Sequence, residues 1–410
     1  MSALTKRYVG LDVHKHYVMV AAVNAAHEVV LRPQRVNLTT LPAWARKHLR
    51  PSDEVALEAT SNAWYVHDLL APLVARVVVG VTQQIKLIAA ALVKTDRKDA
   101  LTLARLLAVK MIPPVWVPPQ PVRDLRTLIN HRQRLVQTQT RLKNRLHSVL
   151  HRQQVVPPEG EVFSQANRPW WLALDLPVGE KLRTRQDLTQ LDQLAPLIAE
   201  VETELHRLSL ADPWGDQMPY LVQLPGIGLL TAMTILAAIG DITRFPSAKK
   251  LVGYAGLGAR IHSSGETHYT GGITKQGRRE LRTALIEAAW IAVRYNPFWQ
   301  AQFERLAARK EPNKAIVAIA RMLLVVIWHV LSQQVADRHA NPEKVAAYFL
   351  QWARQIKAPS QFGIRTATFA RQQLDKLGLG RDLSQVKLGW LYKLPPSSLP
   401  PVEDDVPDPA

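Results

Sequence analysis

Four carboxylates and a pair of serines are the residues through which this sequence could do chemistry. Asp12 sits in the apolar run RYVGLDV, Glu58 lies near the end of EVALEA, and Asp96 and Asp99 open KTDRKDALTLARLLAVKMI. Clustered carboxylates repel one another unless a cation neutralises them. Hard oxygen donors suit Mg²⁺ or Mn²⁺, and paired ions about 4 Å apart can activate a nucleophile and stabilise a leaving oxygen. The serines, Ser263 and Ser264, stand in LVGYAGLGARIHSSGETHYTGGITKQGRRELR, amid glycines and ahead of Lys275, Arg278, Arg279 and Arg282. Glycine lets backbone N–H groups approach a ligand closely, and a helix N-terminus adds partial positive charge, so a hydroxyl there is placed to meet a phosphate. The plainer alternatives are a glycine-rich surface hairpin for the serines and dipole-favoured first-turn acids for Asp96 and Asp99.

The elements that must position these groups follow from hydrophobic period. Arg7–Val13, His16–Val23 and Glu28–Val36 read as three strands, with a turn at 24–27. A helix over 41–49, a strand over 54–59, a helix over 62–73, a strand over 76–81 and a helix over 83–92 come next. That order is the order of a ribonuclease-H-like α/β domain. In such a sheet the first and fourth strands are neighbours, so Asp12 and Glu58 can converge with Asp96 and Asp99, which share one face of a later helix.

The chain has 410 residues, no cysteine and a formal charge of +18, from 52 Lys and Arg against 34 Asp and Glu. This excludes disulfides and thiolate metal sites and favours a polyanionic partner, most simply nucleic acid. The N-terminus lacks signal-peptide anatomy and the longest apolar run, 315–331, is interrupted by Arg321, so a cytoplasmic protein is expected, with no membrane partner.

Pro113–Pro121 reads as a stiff linker, and 122–153 as a basic amphipathic helix whose Arg132, Arg141 and Arg145 could face phosphates. Residues 160–184 read as irregular, and 186–208 as a second helix that could pair with the first in a coiled-coil-like arm. In LPGIGLLTAMTILAAI, Gly226 and Gly228 bracket a turn resembling that of a helix-hairpin-helix module, which offers backbone N–H groups to a phosphate without reading bases. Apolar helices follow over 282–295 and 313–331, an amphipathic segment over 342–357, and the tail from Pro395 reads as disordered.

Taken together, VGLDVHK, ALEAT, KTDRKDA, LPGIG, RFPSAKKLVGYAGLGAR, SSGE, GGITKQGRRELR and KAIVAIARMLL resemble the DEDD insertion-sequence transposases guided by a bridge RNA. The resemblance covers about residues 7–111 and 220–335. It implies a fold of α/β plus α: a RuvC-like (ribonuclease-H-like) domain over 1–112, a helical arm over 113–210, a mainly helical serine-bearing transposase domain over 211–357, and an extension over 358–410. It implies a metal-binding tetrad at Asp12, Glu58, Asp96 and Asp99, and a serine nucleophile at Ser264, with Ser263 as the alternative. It further implies double-stranded DNA and a structured non-coding guide RNA as partners, Mg²⁺ or Mn²⁺ as cofactor, and a homo-oligomer, dimer or tetramer, associated with the bacterial or archaeal nucleoid. GLGAR stands where many relatives carry a proline after the second glycine. Two competing readings are a metal-dependent junction-resolving nuclease, in which water attacks, and a non-catalytic nucleic-acid-binding scaffold.

Overall fold

The computed structural model describes residues 6–88, 95–265 and 267–400, and the chain divides into two units, 1–119 and 120–410. In the first unit, alternating β-branched residues form β1 (Arg7–Val13), β2 (Tyr17–Asn24) and β3 (Val29–Asn37) as antiparallel neighbours. The Asn24 side chain closes the turn between β2 and β3 by accepting from the Ala26 and Glu28 amides. After α1 (Leu41–His48), β4 (Glu54–Glu58) runs parallel to β1; α2 (Ala63–Leu70) then leads to β5 (Arg76–Gly80), parallel to β4. The strand order β3-β2-β1-β4-β5 is compatible with the ribonuclease-H-like domain expected from the sequence.

Each face of the sheet buries a different helix set. Val9, Leu11, Val20, Val55 and Leu57 pack with Leu41, Ala45, Val66 and Leu70 of α1 and α2. Behind α3 (Thr82–Ile88) comes α4 (Asp96–Ala108), whose Leu103 and Leu107 cover Ala56 and Val78 on the other face. A fully buried leucine contributes about 1.5–3 kcal/mol, so these two clusters dominate the unit's stability. Gly10 lets α4 lie directly on β1: a Cβ there would come within 2.0 Å of the Ala100 carbonyl oxygen. The helix expected over 83–92 ends, within the described residues, at Ile88, and 89–94 lie outside them.

The proline-rich stretch expected as a linker belongs in its first half to this unit. Val81 N donates to Pro113 O and Val115 N to Val79 O, and Val115 and Val117 join the apolar cluster, so backbone pairing to β5 holds 113–115 in place.

The second unit opens with α5 (Gln120–Arg152), α6 (Arg168–Ala173) and α7 (Val178–Leu208). The region expected to be irregular over 160–184 is thus partly helical. Trp171 is buried against Leu142, Leu146, Leu188 and Leu191, so tryptophans that looked like loop composition are the core between α5 and α7. Buried Asp187 takes Arg145, and Glu202 takes Arg132, across the same pair of helices.

A short α8 (Met218–Val222) turns through LPGIG into α9 (Leu229–Ile239), which is buried along most of its length. Then α10 (Ala248–Tyr254) precedes a two-stranded hairpin, β6 (Ala259–Ser264) and β7 (Thr267–Ile273). The helices α11 (Arg279–Tyr295), α12 (Pro297–Ala307), α13 (Pro312–Gln333) and α14 (Pro342–Gln355) follow. By length and composition α13 could cross a membrane. Here Ile319, Leu323, Leu324 and Ile327 are buried, and Trp328 on the same helix donates to the Phe245 carbonyl at 2.9 Å.

Past α15 (Ala358–Phe362) and α16 (Thr366–Lys376), a last hairpin pairs β8 (Gln385–Leu388) with β9 (Trp390–Lys393). The tail, expected to be disordered from Pro395, is held through Pro400. Buried Arg371 donates to Pro395 O, Asp375 accepts from Ser397 and Ser398, and Arg381 donates to Pro400 O. Polar pinning by α16 and by Arg381 just beyond it overrides the proline-rich composition there. The acidic residues 401–410 lie outside the described residues.

Candidate functional site

Asp12 and Glu58 occupy successive positions beyond the last paired rung of β1 and β4, Leu11 with Leu57. Side chains alternate along a strand, so both belong to the face that α4 covers. Gly10 seats Ala100, and the α4 first turn therefore arrives over the end of β1 with Asp96 foremost. Thr95 caps that turn, its hydroxyl accepting from Lys98 N.

Among the described residues, donor atoms of Asp12, His14 and Asp96 lie within 4.8 Å of one another. His14 Nε2 is 3.0 Å from Asp12 Oδ2 and 3.3 Å from Asp96 Oδ2. The Tyr17 hydroxyl donates to Asp96 Oδ2 at 2.8 Å. Glu58 and Asp99 lie outside that three-residue group, Glu58 on the neighbouring strand and Asp99 three residues along α4. Burial pushes the Asp12 carboxyl above its usual range; His14 opposes this, while the charges of Asp96 and Asp99 add to it. A half-buried carboxylate crowded by two more is relieved by a divalent cation, and the oxygen and imidazole donors present fit one.

The serine stretch forms a two-stranded hairpin, the plainer of the arrangements its glycines allow. Ser263 faces His268 and Ser264 faces Thr267 across it, with Gly265 in the turn at φ 55°. Successive residues project to opposite faces of the ribbon, so the two hydroxyls are not equivalent. Both serines are exposed, and Ser263 Oγ lies 2.8 Å from His268 Nδ1.

The four basic residues after the hairpin divide into two pairs. Arg278 and Arg282 are internal: Arg278 donates to the Tyr254 hydroxyl and pairs with Glu280, and Arg282 donates to Ala255 O. Burial works to raise the Tyr254 phenol, but Arg278, Arg244 and Arg126 outweigh it and hold the group below its usual value. Arg126 is itself pushed down to about 10 by burial and by neighbouring Arg278, and it caps the end of α9 through Ala237 O and Ala238 O. Lys275 and Arg279, by contrast, are exposed.

On the long helix, Arg132 and Arg145 are engaged with α7 carboxylates, whereas Arg141 is exposed and has no ion-pair partner among the described residues. Gly226 is a packing residue: at φ 83° it lets the turn touch α11, where a Cβ would lie 2.2 Å from Ala288 O. Gly228 is exposed, with open space beside it. A cleft of about 380 Å³ between α5, α9 and α11 is lined by Arg132, Gln137, Thr231, Arg279, Thr283 and Glu287.

Sequence reasoning missed His14, Tyr17, His268 and Tyr254. The strand period of two, counted on from Asp12, would have flagged His14; the other three depend on pairing register and tertiary packing.

An α/β sheet that brings Asp12 and Asp96 together, in a chain this basic, fits the class of metal-dependent enzymes that act on nucleic acid. Comparison with known sequences narrows that class. Residues 9–154 match the DEDD-type IS110 transposase family, and residues 218–304 match the family described as Transposase IS116/IS110/IS902. The chain belongs to these DEDD insertion-sequence transposases, enzymes of DNA rearrangement. It is 29% identical over 256 residues to the transposase for insertion sequence element IS1111A of Coxiella burnetii, covering 60% of this chain and 68% of that protein. It is 32% identical over 253 residues to a pilin gene-inverting protein of Moraxella bovis, covering 58% and 66%. A match to a probable family 20 transposase of Pseudomonas aeruginosa extends over 80% of this chain and 98% of that protein, at 28% identity. The chain thus spans about two thirds of the length of the first two relatives.

Proposed function

We propose that the chain excises and inserts its own DNA element by cutting and rejoining strands, with Ser264 as nucleophile and a divalent ion on the carboxylate site. The observation that carries this reading is the seating of α4 on Gly10, which brings Asp96 to Asp12 in a sheet whose next strand ends in Glu58. When bound, Mg²⁺ or Mn²⁺ would polarise a phosphodiester and stabilise its leaving oxygen. Asp12 and Asp96 would hold it, with Glu58 and Asp99 completing the charge around it. Ser264 Oγ would bond to phosphorus as the bridging P–O bond breaks, leaving a phosphoserine that a second DNA hydroxyl later displaces. Lys275 and Arg279, exposed beside the hairpin, would clamp phosphates, while Arg278 and Arg282 shape the hairpin's base.

The LPGIG turn fits a helix-hairpin-helix role through Gly228, and Arg141 on the paired helical arm suits backbone contact. These groups are suited to phosphates rather than bases, which agrees with a structured guide RNA that selects target DNA by pairing. A homo-oligomer would carry the several strand breaks required.

A second nucleophile is favoured by one observation. His268 Nδ1, 2.8 Å from Ser263 Oγ, could take that hydroxyl's proton during attack. The test is a trapped-substrate reaction followed by mass spectrometry of the denaturant-resistant protein–DNA adduct. An adduct on Ser264, abolished in Ser264→Ala with DNA binding retained, is the expected result. An adduct on Ser263 transfers the role to the serine–histidine pair. Cutting by Ser264→Ala without any adduct makes water the nucleophile and the protein a resolvase.

A further inference from the structure

We propose that His14 is itself a ligand of the divalent ion, so that the site is Asp–His–Asp at its core and prefers Mn²⁺ to Mg²⁺, and that Tyr17 is the residue that positions it. This deepens the metal-dependent function proposed for the chain and rests on it.

The geometry points this way first through spacing. Adjacent ligands of an octahedral ion bound at about 2.1 Å stand roughly 3 Å apart. His14 Nε2 stands 3.0 Å from one carboxylate oxygen and 3.3 Å from the other, the separation of neighbouring ligands on one ion, and all three donor atoms lie within 4.8 Å of one another. The second observation is the scaffold that holds the imidazole. The Tyr17 ring stacks on the His14 ring with centroids 4.5 Å apart and planes inclined by 24°. The same residue's hydroxyl grips Asp96 Oδ2, and the Arg35 guanidinium lies 4.0 Å over its ring. Tyr17 begins β2 and Arg35 comes from β3, so two strands that carry no carboxylate of the site serve to fix its donors. Outer groups of this kind orient metal ligands, and their loss weakens binding roughly ten- to hundred-fold.

The chemistry of the donors then sets the ion. Mg²⁺ keeps its water shell and favours all-oxygen sites, whereas an imidazole nitrogen suits the transition metals and raises affinity for Mn²⁺ relative to it. The competing arrangement has a different sign. If His14 only bridges the two carboxylates by hydrogen bonds, it competes with the ion, and removing it should strengthen binding.

The full-length protein is titrated with Mn²⁺ alone, with free Mn²⁺ read by electron paramagnetic resonance, and then with Mg²⁺ as competitor. The bound Mn²⁺ signal is also examined for coupling to a nitrogen nucleus in protein carrying ¹⁵N-histidine. The expected results are a histidine nitrogen coupled to Mn²⁺ in the wild type, and Mn²⁺ affinity lowered at least roughly ten-fold in His14→Gln with a smaller Mn²⁺-over-Mg²⁺ preference. Tyr17→Phe keeps the stacked ring and loses the grip on Asp96; it should weaken Mn²⁺ roughly ten-fold without moving the metal-free melting temperature. Unchanged or tighter Mn²⁺ binding by His14→Gln, or bound Mn²⁺ without nitrogen coupling, overturns the ligand assignment while leaving a carboxylate metal site in place. Absence of divalent binding by the wild type, matching Asp12→Asn, overturns the metal-dependent function itself. The nitrogen coupling needs no variant, so a misfolded substitution does not spare the proposal.

Discussion

At the scale of single residues, Gly10 is the position where local chemistry and function are least separable. An added methyl would have to displace the Ala100 carbonyl, which is backbone and cannot rotate away. Gly10→Ala should therefore cost about 1–3 kcal/mol, the usual range for overpacking, and weaken Mn²⁺ binding because Asp96 rides on the displaced helix. Denaturant unfolding and metal titration read the two effects, and a stable variant with wild-type metal affinity would refute the coupling. The serine pair is separable by a comparable change. His268→Ala should leave cleavage unchanged if Ser264 attacks, and slow it by roughly 10²–10⁴ if Ser263 attacks with His268 as base. Asp12 was legible in the sequence because a lone carboxylate in an apolar strand is conspicuous. His268 was not, since its partnership with Ser263 exists only through the register of the hairpin.

Elements decide which charges are available to a ligand. Basic residues looked interchangeable in the sequence, but α5 and α7 pair so that Arg132 and Arg145 meet Glu202 and Asp187, while Arg141 stays exposed. Replacing both Lys275 and Arg279 by alanine should flatten the slope of log K for DNA against log salt by roughly one unit for each phosphate that is no longer neutralised. Folding should stay intact. Arg145→Ala should instead act on stability, by about 1–3 kcal/mol, because it deprives Asp187 of its partner inside the helix pair. An altered salt slope with unaltered stability would show that Arg145 binds nucleic acid after all. The strands of the first unit were readable from their period of two. The start of α7 was not, because Pro177 and the tryptophans before it have loop-like composition, and their burial against α5 is a tertiary fact.

On the scale of the whole molecule, residues 395–400 are more tightly bound than their composition suggests. Ending the chain at Leu394 should lower the melting temperature by several degrees relative to ending it at Pro400. That cut takes away the carbonyl that Arg371 holds and the serines that Asp375 holds. Equal melting temperatures for the two truncations would mean that these hydrogen bonds contribute nothing. The seat of α4 on β1 also fixes an order of events during synthesis. Asp12 is made early and Asp96 near the end of the first unit, with the β1–β4 pairing required between them. A nascent chain therefore has a sheet in progress but cannot bring Asp96 to Asp12 until α4 has emerged and docked.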